Sequence, residues 1–257
     1  MSEAKPGQTL ILSRSQRVVE LTRPWILLLL YLVFSIKGWW LLAVPAAFAT
    51  CLAAFVQMHD SIHSSLGLSK KWQTLFLTLS GQLLLKSGHA LQVTHLRHHG
   101  RCLSKEDPEG QPANWPFLQV IFQGPFHMLS LRMKAIQLAP RKRRIQLSES
   151  FATLAILVGA LLLFFRFGSL TGLVYWAIAA FLSATMPIWA AYLPHRLAPK
   201  NPAILVASRL ARFWTPVVSS FAFHHVHHAF PKVPTALLPI AAQHLPIAES
   251  TAHHHHH

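Results

Sequence analysis

Residues 39–63 read WWLLAVPAAFATCLAAFVQMHDSIH. Trp39 to Val56 is a run of 18 apolar or small residues, long enough to cross a bilayer as a helix. It leads straight into His59 and His63, four residues apart and so on one helical face. The stretch predicts a span that presents two imidazoles together at its exit. Lys37-Gly38 breaks the run on its N-terminal side, and Trp25 to Ile36 before it is apolar apart from Ser35. That earlier run has only 12 residues, so it crosses only if Val18 to Arg23 extends it into the interface or the bilayer thins. Together the two runs predict a hairpin with a tight outer turn.

The second half repeats the arrangement. Phe151 to Phe165 is apolar, Arg166-Phe167-Gly168 breaks it, and Leu170 to Leu193 leads into His195. The expected fold class is therefore all-α integral membrane, with four transmembrane helices in two hairpins. Composition agrees: 52% of the 257 residues are apolar and 12% charged, against roughly 25% charged in a soluble domain. A simple soluble globule and intrinsic disorder are both excluded, and lipid tolerates no open sheet edge. Trp72 to Leu85 and Trp115 to Leu138 are apolar but interrupted or bounded by Lys86, Gly124-Pro125, Arg132 and Lys134, as expected of interfacial helices. Ala203 to Phe223 carries Arg209 and Arg212 and is also placed at the surface, a fifth span there being the competing topology. Residues 1–252 read as a single domain. His253 to His257 read as a purification tag, and Met1 to Glu20 lacks the pattern of a cleaved secretory signal.

The formal net charge is +15. Only Lys37 and Arg166 lie in the two outer turns; the other 21 basic residues, Arg141-Lys142-Arg143-Arg144 among them, fall on the opposite side. Basic short loops stay cytoplasmic, so both termini and every histidine cluster are expected there, in a bacterial inner membrane or its equivalent. Positive-inside retention accounts for the charge without any nucleic-acid partner. Cys51 and Cys102 form no disulfide framework and no metal-binding cysteine pair.

Setting the terminal run aside, thirteen histidines remain. His95, His98 and His99 are three and one apart, and His224, His227 and His228 repeat that spacing, so each cluster aims two or three imidazoles at one point. An isolated histidine on an apolar face is usually a satisfied core residue, the reading for His89, His127 and His244. Eight clustered imidazoles, with His195 a ninth, are costly to bury without a shared partner, and metal ligation supplies one. No Glu-x-x-His occurs, which sets the chain apart from the carboxylate-bridged di-iron bundles. Eight or nine nitrogens exceed the needs of one tetrahedral zinc and suit two metals with open positions. His59-Asp60-Ser61-Ile62-His63 is one methylene from the HExxH motif, so an intramembrane zinc metalloprotease is the rival. It leaves both HxxHH groups idle. Asp60 fits better as a carboxylate orienting a ligand histidine through its other ring nitrogen. A metal transporter would place ligands near the bilayer midplane, whereas these lie at span exits.

HDSIH at 59–63, HLRHH at 95–99 and HHVHHAFP at 224–231 resemble the three histidine boxes of the membrane fatty acid desaturase superfamily. The resemblance implies a four-span helical fold under a cytoplasmic di-iron cap. Two non-haem irons there use O2 and two electrons to attack an unactivated C–H bond of a long apolar substrate. By position, His59 and His63 match the first box, His95, His98 and His99 the second, and His224, His227 and His228 the third. His195 matches an additional ligand after the last span, and Asp107-Pro108 an acidic-Pro motif after the second box. No catalytic residue is implied beyond these ligands. Many acyl desaturases carry an Asn four residues before the additional histidine; Ala191 stands there instead. Tyr192-Leu193-Pro194-His195-Arg196 is similar to the YLPHR of carotenoid ketolases, as are the doubled third box and Pro231-Lys232-Val233-Pro234. His225 lies off the face shared by His224 and His228 and is read as a supporting or structural residue.

Carotenoid ketolation or hydroxylation is thus slightly favoured over acyl-lipid desaturation or hydroxylation. The chain has no HPGG segment of the cytochrome kind and no four-cysteine iron–sulfur motif. A separate ferredoxin-like or cytochrome-type donor is expected to supply electrons. The basic face, including Arg97, Arg101 and Lys105, is placed to steer it or to hold anionic lipid heads.

Overall fold

Ser13 starts the first helix. Its Oγ accepts from Gln16 N (3.2 Å) and its own N–H donates to Gln16 Oε1 (2.9 Å), a reciprocal cap that satisfies two orphan donors. The computed structural model describes residues 10–198, 200–211 and 217–244, apart from the side chains of Val217 and His244. Arg212 and the histidine run at 253–257 lie outside the described residues.

From that cap α1 runs Arg14–Ile36, supplying the extra turns that the short apolar run required. Gly38 (φ +73°) ends it, with Trp39 N donating back to Phe34 O (2.8 Å), a left-handed stop that glycine adopts freely. α2 (Trp40–Ile62) follows and is the most enclosed of the long helices. Small residues such as Ala43, Ala47, Cys51 and Ala54 are fully buried on it and let its neighbours approach closely. α1, α3 (Lys70–Leu83) and a later helix, Thr171–Met186, pack against it.

Pro24 sits inside α1 and has no N–H to give the carbonyl of Glu20, four residues back. Gln57 on α2 replaces it: Nε2 donates to Glu20 O (3.0 Å) and Leu21 O (2.9 Å), while Ser80 Oγ donates to Gln57 Oε1 (2.7 Å). One buried amide therefore ties three helices.

α4 (Gly88–Arg101), α5 (Phe117–Leu138), α6 (Arg143–Phe167) and α7 (Thr171–Met186) follow. Gly168 (φ +66°) stops α6, and α6 packs on α7. At Pro187 the helix loosens into a π segment, Pro187–Tyr192, before α8 (Leu193–Arg196). Short helices α9 (Pro202–Leu210), α10 (Val217–Ala222), α11 (His224–Ala229) and α12 (Leu238–His244) complete the described chain.

Among the described residues four helical stretches are long and apolar enough to cross a membrane: Arg14–Ile36, Trp40–Ile62, Pro140–Phe167 and Thr171–Arg196. α9 and α10 are each too short to cross alone. The protein is an all-helical membrane protein whose spans carry exposed apolar side chains, Leu41, Leu162 and Phe165 among them.

Candidate metal centre

The end of α2 supplies His59 and His63, α4 supplies His95, His98 and His99, α8 supplies His195, and α11 supplies His224, His227 and His228. They come together as two groups. His59, His63, His95 and His227, all buried, have ligand atoms within 4.8 Å of one another, as do His98, His195, His224 and His228. His99 borders the first group, with Nε2 2.9 Å from His227 Nε2 and 3.2 Å from His95 Nε2.

In the second group the Nε2 atoms close a ring: His98 to His195 3.2 Å, His195 to His224 3.0 Å, His224 to His228 3.0 Å and His228 to His98 3.2 Å. Nitrogens bound to one ion at ~2.1 Å and at right angles stand about 3.0 Å apart. In the first group His59 Nε2 lies 3.1 Å from His227 Nε2, and His63 Nε2 is buried with no hydrogen-bond partner.

At His98 and His95 the tautomer turns a lone pair, not a proton, towards these contacts. His98 Nδ1 lies 2.7 Å from Asp107 Oδ2, and His95 Nδ1 2.8 Å from Glu109 Oε1. A carboxylate at Nδ1 holds the proton there and leaves a lone pair on Nε2. Protonation does not relieve the crowding. Burial, then the neighbouring imidazoles, push His63 and His228 down to about 2, and burial, then His98, takes His99 to about 4. His95 and His224 are likewise well below their ordinary value. His98 is the exception: burial opposes its charge, but the Asp107 hydrogen bond and the charges of Glu109 and Asp107 outweigh it, making its Nε2 a stronger donor to a metal. Inward-facing lone pairs at van der Waals contact or closer fit cations, and neither four-histidine group includes a carboxylate.

Asp107 is fully buried. Burial resists its charge, yet His98 and the backbone N–H groups of Gly110 (2.9 Å) and Leu103 (2.8 Å) hold it below the usual range. Asp60 lies beside His59. Its carboxylate accepts from Thr235 N (3.1 Å) and Thr235 Oγ1 (2.6 Å) and lies 3.7 Å from His59 Nδ1. Thr235 Oγ1 is the nearer group to that nitrogen, at 3.5 Å, so the threonine stands between the acid and the imidazole. His225 is exposed on α11. His89 pairs with Glu149 (Nδ1 to Oε1, 2.7 Å), while His127 packs on Trp115 with Nε2 unpartnered.

Glu109 and Thr235 were missed in the sequence. For Glu109 a signal existed: the chain has eight acidic residues, and it stands two after Asp107 beside the second histidine cluster.

An apolar cavity of about 250 Å³ opens beside both groups, lined by Leu52, Phe55, Leu182, Met186, Trp189 and Phe221 and reached by His59, His95 and His224. Glu109 also reaches it, and among the described residues no lysine or arginine lines it. Comparison with curated proteins and with solved structures returned no match. The family model described as fatty acid desaturase matches residues 37–257, nearly the whole chain and every histidine of the two groups. The chain belongs to the fatty acid desaturase family.

Proposed function

We propose that this chain is an O2-dependent, non-haem di-iron oxidoreductase that oxidises a C–H bond of a long apolar substrate, carotenoid ketolation or hydroxylation being its reaction. The supporting observation is the cavity: it touches both histidine groups, is walled mostly by apolar side chains with Glu109 at its histidine end, and among the described residues has no cation to anchor a charged head. A neutral polyene suits it. His59, His63, His95, His99 and His227 would hold one iron and His98, His195, His224 and His228 the other. When bound, the irons supply the oxygen and electron chemistry.

The remaining work falls to the protein. Asp107 and Glu109 keep His98 and His95 in the tautomer that points a lone pair inward, and Thr235 stands at His59 Nδ1 for the same purpose. Phe55, Met186 and Trp189 exclude water and seat the substrate. Electrons come from a separate ferredoxin-like or cytochrome-type carrier meeting the basic face, which lies in the cytoplasm of a bacterial cell or its equivalent.

Acyl-lipid desaturation is the second reading. Past Met186 the cavity borders a space of only about 20 Å³ among Cys51, Met58, Lys86 and Ala179, which leaves no room for a carotenoid ring. Mass spectrometry of lipid extracts from a β-carotene-producing host separates the two. Oxygenated carotenoids absent from a His98→Ala control are expected. New unsaturated or hydroxylated acyl chains, with carotenoids unchanged, would assign the second reading instead.

A further inference from the structure

On the far side of Leu91 from the metal groups, a groove lies between α5, α7 and the turn joining α3 to α4. Its polar part, about 250 Å³, is lined by Lys86, Ser87, Thr94, Arg132 and Ser183 among apolar residues. Through Leu85, Pro125, Met128 and Ser183 it continues into an apolar part of similar volume that reaches Trp176.

Two cations in the polar part lack anions. Lys86 Nζ contacts only Met186 Sδ (3.2 Å), a weak acceptor. Arg132 Nη2 is buried with no hydrogen-bond partner. The neighbouring carboxylates are committed elsewhere: Glu149 holds Thr78 Oγ1 (2.7 Å), Ser87 Oγ (2.6 Å) and His89, and Glu109 holds His95 and Thr94. Among the described residues neither cation forms an ion pair. Burial takes Lys86 down to about 8 against the pull of Glu109. Enclosed, unpaired cations are costly and are expected to meet an anion.

The groove also has a direction. Its polar end includes Thr94, the residue before His95, and its apolar end follows α7 from Ser183 back to Trp176, away from His195. Leu129 and Trp176 on its walls are exposed, so it opens to the surrounding bilayer. Head towards the histidine face and tail towards the bilayer centre is the orientation of a lipid in that leaflet. We propose that this groove binds one anionic phospholipid, with its phosphate between Lys86 and Arg132 and an acyl chain along α7. Lys86 and Ser183 also border the small space beyond Met186, but the proposal does not depend on which substrate is oxidised.

Native mass spectrometry of the full chain in mild detergent tests this, with dioleoylphosphatidylglycerol, oleate and inorganic phosphate added separately. One phosphatidylglycerol per chain is expected to be retained by the wild type and by Lys86→Arg. At least tenfold less is expected in Arg132→Gln and in Lys86→Met. Ser183→Phe keeps both cations but closes the groove, and is expected to lose the lipid at unchanged Tm; it decides the matter if a charge variant fails to fold. Absence of retention by the wild type, equal retention by Arg132→Gln and Ser183→Phe, or oleate or phosphate held as firmly as phosphatidylglycerol would each overturn the proposal.

Discussion

Asp107 accepts four hydrogen bonds, from His98, Leu103, Glu109 and Gly110, so its substitution reaches the metal groups through His98. Asp107→Asn keeps the shape but removes the charge that fixes the imidazole. Metal affinity is expected to fall about 10–100-fold, read as faster iron loss to a chelator at unchanged helicity. Gly110→Ala is expected to do the same, because a Cβ there overlaps Asp107 Oδ2 and lies 3.1 Å from His98 Nδ1. Gly100→Ala meets nothing within 4 Å and serves as the control; equal iron retention in all three would refute this role for Asp107. At Gln57, replacement by Leu strands the carbonyl that Pro24 leaves open. A loss of about 1–3 kcal/mol is expected, visible as a lowered Tm, and an unchanged Tm would show that the carbonyl is satisfied otherwise.

Among the elements, the spans and histidine-bearing helices were legible because hydropathy and i, i+3, i+4 spacing are local properties of the chain. Even α1, which begins at Arg14 rather than at the first apolar residue, announces itself through Ser13 and Gln16. Of the histidines' partners, Asp107 was legible through its acidic-Pro motif and Glu109 had a signal beside it, but Thr235 was not. Thr235 meets Asp60 and His59 across 175 and 176 residues, and nothing in the local sequence of either marks that contact. Nor does hydropathy reveal the π segment at Pro187–Tyr192, although a proline in mid-helix is its visible cause. Since that segment sets the phase of α8, Pro187→Ala is expected to restore a regular helix and turn His195 out of its ring of nitrogens. The iron stoichiometry should then drop by about half while the first group, which takes no residue from α8, stays loaded; an undiminished second iron would contradict the link.

At the scale of the whole molecule, two of the four spans deliver histidines, α2 with His59 and His63 and the last with His195, to a site that α4 and α11 complete, and the apolar cavity lies beside them between α2, α7 and α10. The fold and the family were readable from the apolar runs and the three boxes. Substrate choice was not, since it depends on cavity width and lining that several distant helices build together. The membership in the desaturase family does not by itself fix metal identity. Counting metals therefore comes first: elemental mass spectrometry of the purified full chain, its terminal histidines at 253–257 removed so that they add no metal. About two irons per chain with little zinc are expected, falling to about one in His224→Ala. A single zinc per chain, unchanged by His224→Ala, would contradict the di-iron centre.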